Sequence, residues 1–272
     1  MTIGSRKVRA DTVTFGSAKV TQGMRAVPIE TPIEIIYGTI PYAVMMATPN
    51  DIEDFVYGFS LTEGVIESGS DIRGVTVEVH PKGLRARVDL VPERLTAHFS
   101  RQRAMIGRTG CGVCGIDDIN ALPGAEKRVT QGLAIEHDAI HFAIQELNKH
   151  QPLNDATRAV HAAAWCDLSG EVLIAREDVG RHNALDKLIG AMLRQAIDPL
   201  GGFIIITSRC SYEMIEKTAS FGVSTLIAVS APTSLAIERA QALGVTLYAI
   251  ARSDSATHFT GFTPDILLEK CA

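Results

Sequence analysis

The 272 residues are 46% hydrophobic and 21% charged, enough to bury a substantial core and too apolar on average for a disordered chain. A net charge of −5 and a pI near 5.9 exclude a globally basic, phosphate-neutralising protein, so nucleic acid is not an expected partner. The apolar stretches fall far short of the roughly 20 residues of a membrane helix, and no apolar block follows Arg6, Lys7 and Arg9, so neither a membrane segment nor a signal peptide is expected and the location is read as cytoplasmic.

In chain order, the first β-rich runs are Ile33 to Tyr37 and Tyr42 to Thr48, joined through Gly38 as a hairpin. Pro49-Asn50-Asp51 then opens a helix whose apolar stripe runs through Ile52, Phe55, Val56 and Phe59 and on over Leu61 to Ile66. Gly74 to His80 and Leu84 to Leu90, joined by Pro81-Lys82-Gly83, complete a β-β-α-β-β unit that reads as a small α+β roll. The segment Arg101 to Gly115 breaks the regular pattern, and a boundary is placed near residue 130, giving units 1–130 and 131–272.

The second unit has a helix over 137–149, a hairpin of His161 to Asp167 with Glu171 to Glu177, and a helix over 181–195. Strand–helix steps follow: Phe203 to Thr207 into 211–221, Thr225 to Ser230 into 234–243, and a closing strand Val245 to Ala251. Such alternation predicts an α/β fold with a mostly parallel sheet.

Five cysteines, one close pair and three scattered, do not form a disulfide framework. The pair lies in Thr109-Gly110-Cys111-Gly112-Val113-Cys114-Gly115, where flanking glycines free the backbone to present sulfur to partners. Because a free thiol titrates near 8.5, mostly thiolate at neutral pH requires about 2–3 kcal/mol of stabilisation, for which Arg101, Arg103 and Arg108 are candidates. Sulfur or redox chemistry, a zinc half-site and a thioredoxin-like switch all stay open on these residues alone; no second Cys or Cys/His pair stands at finger spacing.

Arg176-Glu177-Asp178-Val179-Gly180-Arg181-His182-Asn183 lies between a strand and a helix start, as do Ser208-Arg209-Cys210-Ser211, Ser230 to Ser234 and Arg252 to Ser255. In an open α/β sheet these turns line one rim, where helix N-termini, hydroxyls and arginines hold phosphate. Capping explains the serines one by one; it explains Arg176, Arg181, Arg209 and Arg252 together less well.

At these residues the chain resembles the formate dehydrogenase accessory sulfurtransferase family (FdhD). The segments that carry the resemblance are Gly107 to Gly115, Val160 to Ala164, Arg176 to Gly190 (REDVGRHNALDKLIG), Ser208 to Glu213, Val229 to Leu235 and Phe55 to Ile66. The resemblance implies a sulfur carrier that takes sulfur from a cysteine desulfurase as a persulfide on Cys111, with Cys114 assisting. It implies delivery to molybdenum in bis(molybdopterin guanine dinucleotide) before that cofactor enters formate dehydrogenase, and a homodimeric carrier. The family's cofactor stretch falls on Ile250, Ala251, Arg252, Ser253, Asp254 and Ser255; relatives tend to carry a second arginine where Ser255 stands. The remaining cofactor contacts are expected at Asp178, Arg181, His182, Ser208, Arg209 and Thr233.

The resemblance also implies a cytidine deaminase-like second unit. His182-Asn183-Ala184 lacks the glutamate of the deaminase H-x-E motif and only Cys210 stands in the second turn, so no catalytic zinc is expected. The competing reading is a non-catalytic chaperone that binds the cofactor and formate dehydrogenase.

Overall fold

A computed structural model describes residues 4–17, 19–96, 129 and 132–262. The boundary placed near residue 130, Cys111, Cys114 and their arginine neighbours lie outside the described residues. Among the described residues the strands form a two-stranded ribbon, a four-stranded sheet and a six-stranded sheet.

The ribbon pairs β1 (Ser5–Thr14) with β2 (Lys19–Pro28) in unbroken antiparallel register. The four-stranded sheet has the order β4-β3-β6-β5, from β3 (Thr31–Tyr37), β4 (Ile40–Ala47), β5 (Ile72–His80) and β6 (Gly83–Leu90). One face buries Ile33, Ile35, Tyr37, Ala86 and Val88 against Phe55, Val56 and Phe59 of α1 (Ile52–Thr62). The expected stripe to Ile66 outruns that helix. Gly64 takes a left-handed φ of +69°, the N–H groups of Val65 and Ile66 donate to the Ser60 carbonyl, and both side chains enter the core from this turn.

The six-stranded sheet has the order β12-β11-β10-β9-β7-β8. Its strands are β7 (His161–Asp167), β8 (Val172–Asp178), β9 (Gly202–Ile206), β10 (Thr225–Ala228), β11 (Thr246–Ala249) and β12 (Thr257–Thr260). Parallel pairing is confined to β9, β10 and β11; the β7–β8 hairpin on one flank and β12 on the other pair antiparallel, so the sheet is mixed. The strand expected to close the sheet is therefore followed by another. Four residues are too few to declare a strand by alternation, but Thr260 Oγ1 donates to the Val245 carbonyl at 2.7 Å and holds β12 in place.

Helices α2 (His137–Leu147) and α3 (Pro152–Thr157) precede β7. α2 covers one sheet face through Ile140, Ala143 and Leu147 over Ile205, Ile227 and Tyr248. The other face is covered by α4 (Arg181–Arg194), α5 (Tyr212–Phe221) and α6 (Ser234–Leu243), with Leu185, Leu188, Ile215 and Ala240 over Ile204, Leu226 and Leu247.

The layers meet where α1 crosses α4. A Cβ at Gly58 would stand 1.8 Å from the Asp186 carbonyl oxygen, and one at Gly190 would stand 1.7 Å from that of Asp54. Only glycine at both positions lets the two backbones approach this closely.

Candidate functional site

The same topology decides where the sequence-selected residues go. Since β9, β10 and β11 are parallel, the turns after them, at Ser208 to Ser211, Ser230 to Thr233 and Ile250 to Ser255, open on one edge of the sheet. β7 runs antiparallel to β9, so its first residue, His161, lies at this edge opposite Asp178, the last residue of β8. The first turn of α4 brings Arg181 and His182 to the same rim.

Arg181, His182 and Arg209 stand close enough to His161 to act on its imidazole. Burial first, and then the charges of Arg181, Arg209 and His182, lower the pKa of His161, so its imidazole is neutral at pH 7. Glu213, in the first turn of α5, is the local counter-charge. His182 Nε2 lies 3.8 Å from its carboxylate, and His182 together with Ser211 outweighs burial and holds the Glu213 pKa down to about 2.

Three polar atoms of this cluster are shielded from solvent and make no hydrogen bond among the described residues: Arg181 Nε, and His182 Nε2 and Ser211 Oγ, which face Glu213 outside hydrogen-bond geometry. Buried polar groups are almost always satisfied, so the three together leave hydrogen-bonding capacity that a polar ligand or ordered water would fill. Arginine, imidazole and hydroxyl groups at the starts of α4 and α5 suit a phosphate-bearing molecule.

Ile250 to Ser255 follows β11 at the next strand ends. Ile250 is β-branched yet has φ of +53°, a backbone strain of order 1–3 kcal/mol at such sites. Its N–H donates to the Ser230 carbonyl at 3.1 Å, Ala251 is buried, and the Arg252 N–H donates to the Ser255 carbonyl at 2.7 Å. The Arg252 guanidinium folds onto the carbonyls of Val229 and Ala251. Ser253, Asp254 and Ser255 are exposed, with Ser255 Oγ donating to Asp254 at 3.0 Å.

Other expected contacts are turned to internal work. Asp178 is fully buried: its carboxylate receives the N–H and Oγ1 of Thr48, the N–H of Gly180, the Asn183 amide and, at 2.6 Å, the Lys187 ammonium. With those partners it fixes the end of β4 to the start of α4 and has no exposed oxygen to offer a ligand. Arg176, read with the rim arginines, instead grips Asp54 of α1 at 2.8 Å. Ser208 is nearly buried and donates to the Arg209 carbonyl at 3.1 Å, and Thr233 caps α6 by accepting from the Ala236 N–H at 3.2 Å.

His161 and Glu213 were not singled out from sequence as site residues. His161 opens a strand that otherwise reads as core, and only antiparallel pairing with β9 reveals which edge it occupies; Glu213 looks like an ordinary first-turn acid. Of the described cysteines, Cys166 and Cys210 are both buried. Burial pushes the thiol of Cys210 up to about 12 and that of Cys166 higher still, so neither supplies a thiolate. Among the described residues no group of three or more His, Cys, Asp or Glu could hold a metal ion.

Fold and rim together define a mixed α/β protein with arginine and histidine side chains gathered along its strand ends. Comparison with known proteins narrows this. The chain belongs to the FdhD/NarQ family, whose model matches residues 28–264. It is 47% identical over 237 residues to the sulfur carrier protein FdhD of Xanthomonas euvesicatoria, covering 87% of this chain and 84% of that protein. It is 46% identical over 231 residues to the sulfur carrier protein FdhD of Bordetella bronchiseptica, covering 85% and 84%. A crystal structure from Desulfotalea psychrophila, provisionally described as a formate dehydrogenase accessory protein, matches with a TM-score of 0.74 at 24% identity, covering 94% of this chain and 97% of that one; it bears on the fold alone.

Proposed function

We propose that this protein carries sulfur on Cys111 and Cys114 from a cysteine desulfurase to the molybdenum of bis(molybdopterin guanine dinucleotide), which then enters formate dehydrogenase. The observation that carries the reading is the rim of Arg181, His182, His161 and Arg209 with three buried polar atoms, Arg181 Nε, His182 Nε2 and Ser211 Oγ, that make no hydrogen bond among the described residues, which suits the pyrophosphate of a nucleotide-tailed cargo. The inertness of Cys166 and Cys210 leaves sulfur loading to thiols elsewhere in the chain, and the glycine-framed pair is the natural choice. Relatives named sulfur carrier proteins support the same role.

In the loading step the Cys111 thiolate attacks the outer sulfur of the desulfurase persulfide. A new S–S bond forms, the donor S–S bond breaks, and the donor cysteine leaves as thiolate without net oxidation. Delivery as sulfide takes two electrons. The Cys114 thiolate supplies them by attacking Cys111 Sγ, which releases hydrosulfide toward the metal and leaves a Cys111–Cys114 disulfide for a cellular dithiol to reduce.

The strand order β8-β7-β9-β10-β11, with an antiparallel hairpin before a parallel run, supports descent from a deaminase-like sheet. His182 and Cys210 stand at the two motif positions; with the motif glutamate absent and Cys210 a buried neutral thiol, the rim is read as a cargo site and not as a deaminase.

Incubation of the purified chain with a cysteine desulfurase and cysteine, followed by peptide mass spectrometry, should place one added sulfur on the Cys111–Cys114 peptide. Absence of the adduct from both residues would end the carrier mechanism. Cys111→Ala should abolish formate dehydrogenase maturation; retained maturation would favour a chaperone that only binds the cofactor.

A further inference from the structure

Side chains of β11 alternate across the sheet: Leu247 and Ala249 face α4, α5 and α6, and Tyr248 faces the α2 side. Tyr248 therefore lies on the sheet face opposite to the rim residues Arg181, His182 and Glu213, which belong to α4 and α5. It is only 2% exposed, and its hydroxyl makes no hydrogen bond among the described residues. A phenol keeps its proton at neutral pH, so this one has a donor to give. A buried hydroxyl without an acceptor is uncommon and points to a water or ligand that completes it.

Two imidazoles stand against this ring. β12 pairs antiparallel with β11, which makes His258 the cross-strand partner of Tyr248 and sets both side chains on one face, with ring centroids 4.8 Å apart and planes at 53°. His137, the first residue of α2, meets the same ring at 6.5 Å between centroids and 77° between planes. Aromatic packing accounts for the ring contacts by itself; it leaves the hydroxyl unsatisfied and both histidines exposed.

The surroundings select what the pair holds. Burial, and to a smaller degree His137, lowers the pKa of His258 against a contact with the Thr260 backbone that raises it, so the imidazole is neutral at pH 7. That backbone contact engages one ring nitrogen as a donor and leaves the other for a ligand, an arrangement usual among metal-bound histidines. Glu136 and Asp138 flank His137 in the chain and are exposed, so the opening carries negative charge and disfavours an anion. Imidazole nitrogen suits zinc, nickel and copper.

We propose that His137 and His258 hold one divalent d-block cation of the zinc or nickel class between them, with the Tyr248 hydroxyl donating to a water bound to that cation. Two protein ligands are fewer than the three of a catalytic zinc site, so water fills the remaining positions and the cation exchanges with solvent. The deaminase motif positions, His182 and Cys210, lie toward the other sheet face and take no part. The site also stands apart from sulfur carriage, and its failure would leave that reading untouched.

Calorimetric titration of the full chain, stripped of metal by a chelator, with zinc chloride and separately with nickel chloride tests this. A Cys111→Ser/Cys114→Ser background removes the glycine-framed thiols as competing ligands. One site per chain is expected in that background. His137→Gln and His258→Gln should each weaken it by about a hundredfold or more, and Tyr248→Phe, which removes a hydroxyl that acts through water, by about tenfold. The metal-free unfolding midpoint of all three variants should stay at or above that of the parent, which keeps a folding defect apart from a lost ligand. No binding at millimolar cation, binding that survives the combined His137→Gln/His258→Gln change, or a site that disappears with the two cysteines would overturn the proposal. Undiminished affinity in Tyr248→Phe would overturn the part given to the hydroxyl.

Discussion

The stretch Arg176 to Lys187 feeds two regions of opposite character. Toward α1 and Thr48 it sends Arg176, Asp178, Asn183 and Lys187, every one of them buried or nearly so and engaged by a partner of matching charge or hydrogen-bonding sense. Toward the strand-end rim it sends Arg181 and His182, whose inner nitrogens make no hydrogen bond among the described residues. A helix turns about 100° per residue, so neighbours in sequence separate into these two roles. Polar density in a motif is therefore no measure of how much of it meets a ligand; whether the polar atoms are satisfied is the better guide.

Variants on the two sides should separate cleanly. The largest effect is expected at Lys187→Met, which leaves the Asp178 carboxylate buried without its cation and should cost about 3–5 kcal/mol in urea unfolding. Asp178→Leu added to it should recover part of that loss; no recovery would mean the pair acts through packing alone. Gly190→Ala comes next. Its methyl would press on the Asp54 carbonyl, a backbone group that cannot swing aside, so a loss of about 2–3 kcal/mol is expected with the rim chemistry otherwise intact.

On the rim the order of effects reverses. Arg209→Ala and Arg181→Ala should weaken guanine-nucleotide binding by about tenfold or more in calorimetry, the scale of one charge-assisted hydrogen bond, while the unfolding midpoint barely moves. A large stability loss with unchanged binding would move these arginines to the seam side of the comparison. The smallest effect belongs to Glu213→Gln. The folded pKa of Glu213 is depressed to about 2, so its stabilising contribution is present above the unfolded value of about 4.3 and fades as pH falls toward 2. The variant should lower stability modestly at pH 7, converge with the parent as pH falls toward 2, and so flatten the profile across that acid window.

Sequence patterning found the elements that bury one face. Strands β3 through β11 and the helices α1, α2, α4, α5 and α6 are read from apolar period, and the rim turns follow from strand–helix alternation. The ribbon escaped because an element exposed on both faces has no apolar alternation to read; Lys7, Arg9, Thr12 and Thr21 look like a solvated leader. Asp178 was assigned to the rim because its place in the chain, at a strand end, is right for a ligand. Thr48, more than a hundred residues away, claims its carboxylate instead, a contact that local pattern cannot supply. His161 was missed for the converse reason, since the edge a strand's first residue occupies depends on the direction of its neighbour.

The paired glycines at the α1–α4 crossing bear on how the rim would receive the proposed cargo. Helices in backbone contact cannot slide or tilt past each other without opening a void or driving carbonyls together, so the two larger sheets behave as one block. A rim mounted on such a block is already shaped before any ligand arrives. Under the proposed role, a nucleotide-tailed cargo would spend little binding energy on closing hinges, leaving the free energy of its contacts to set how long it stays.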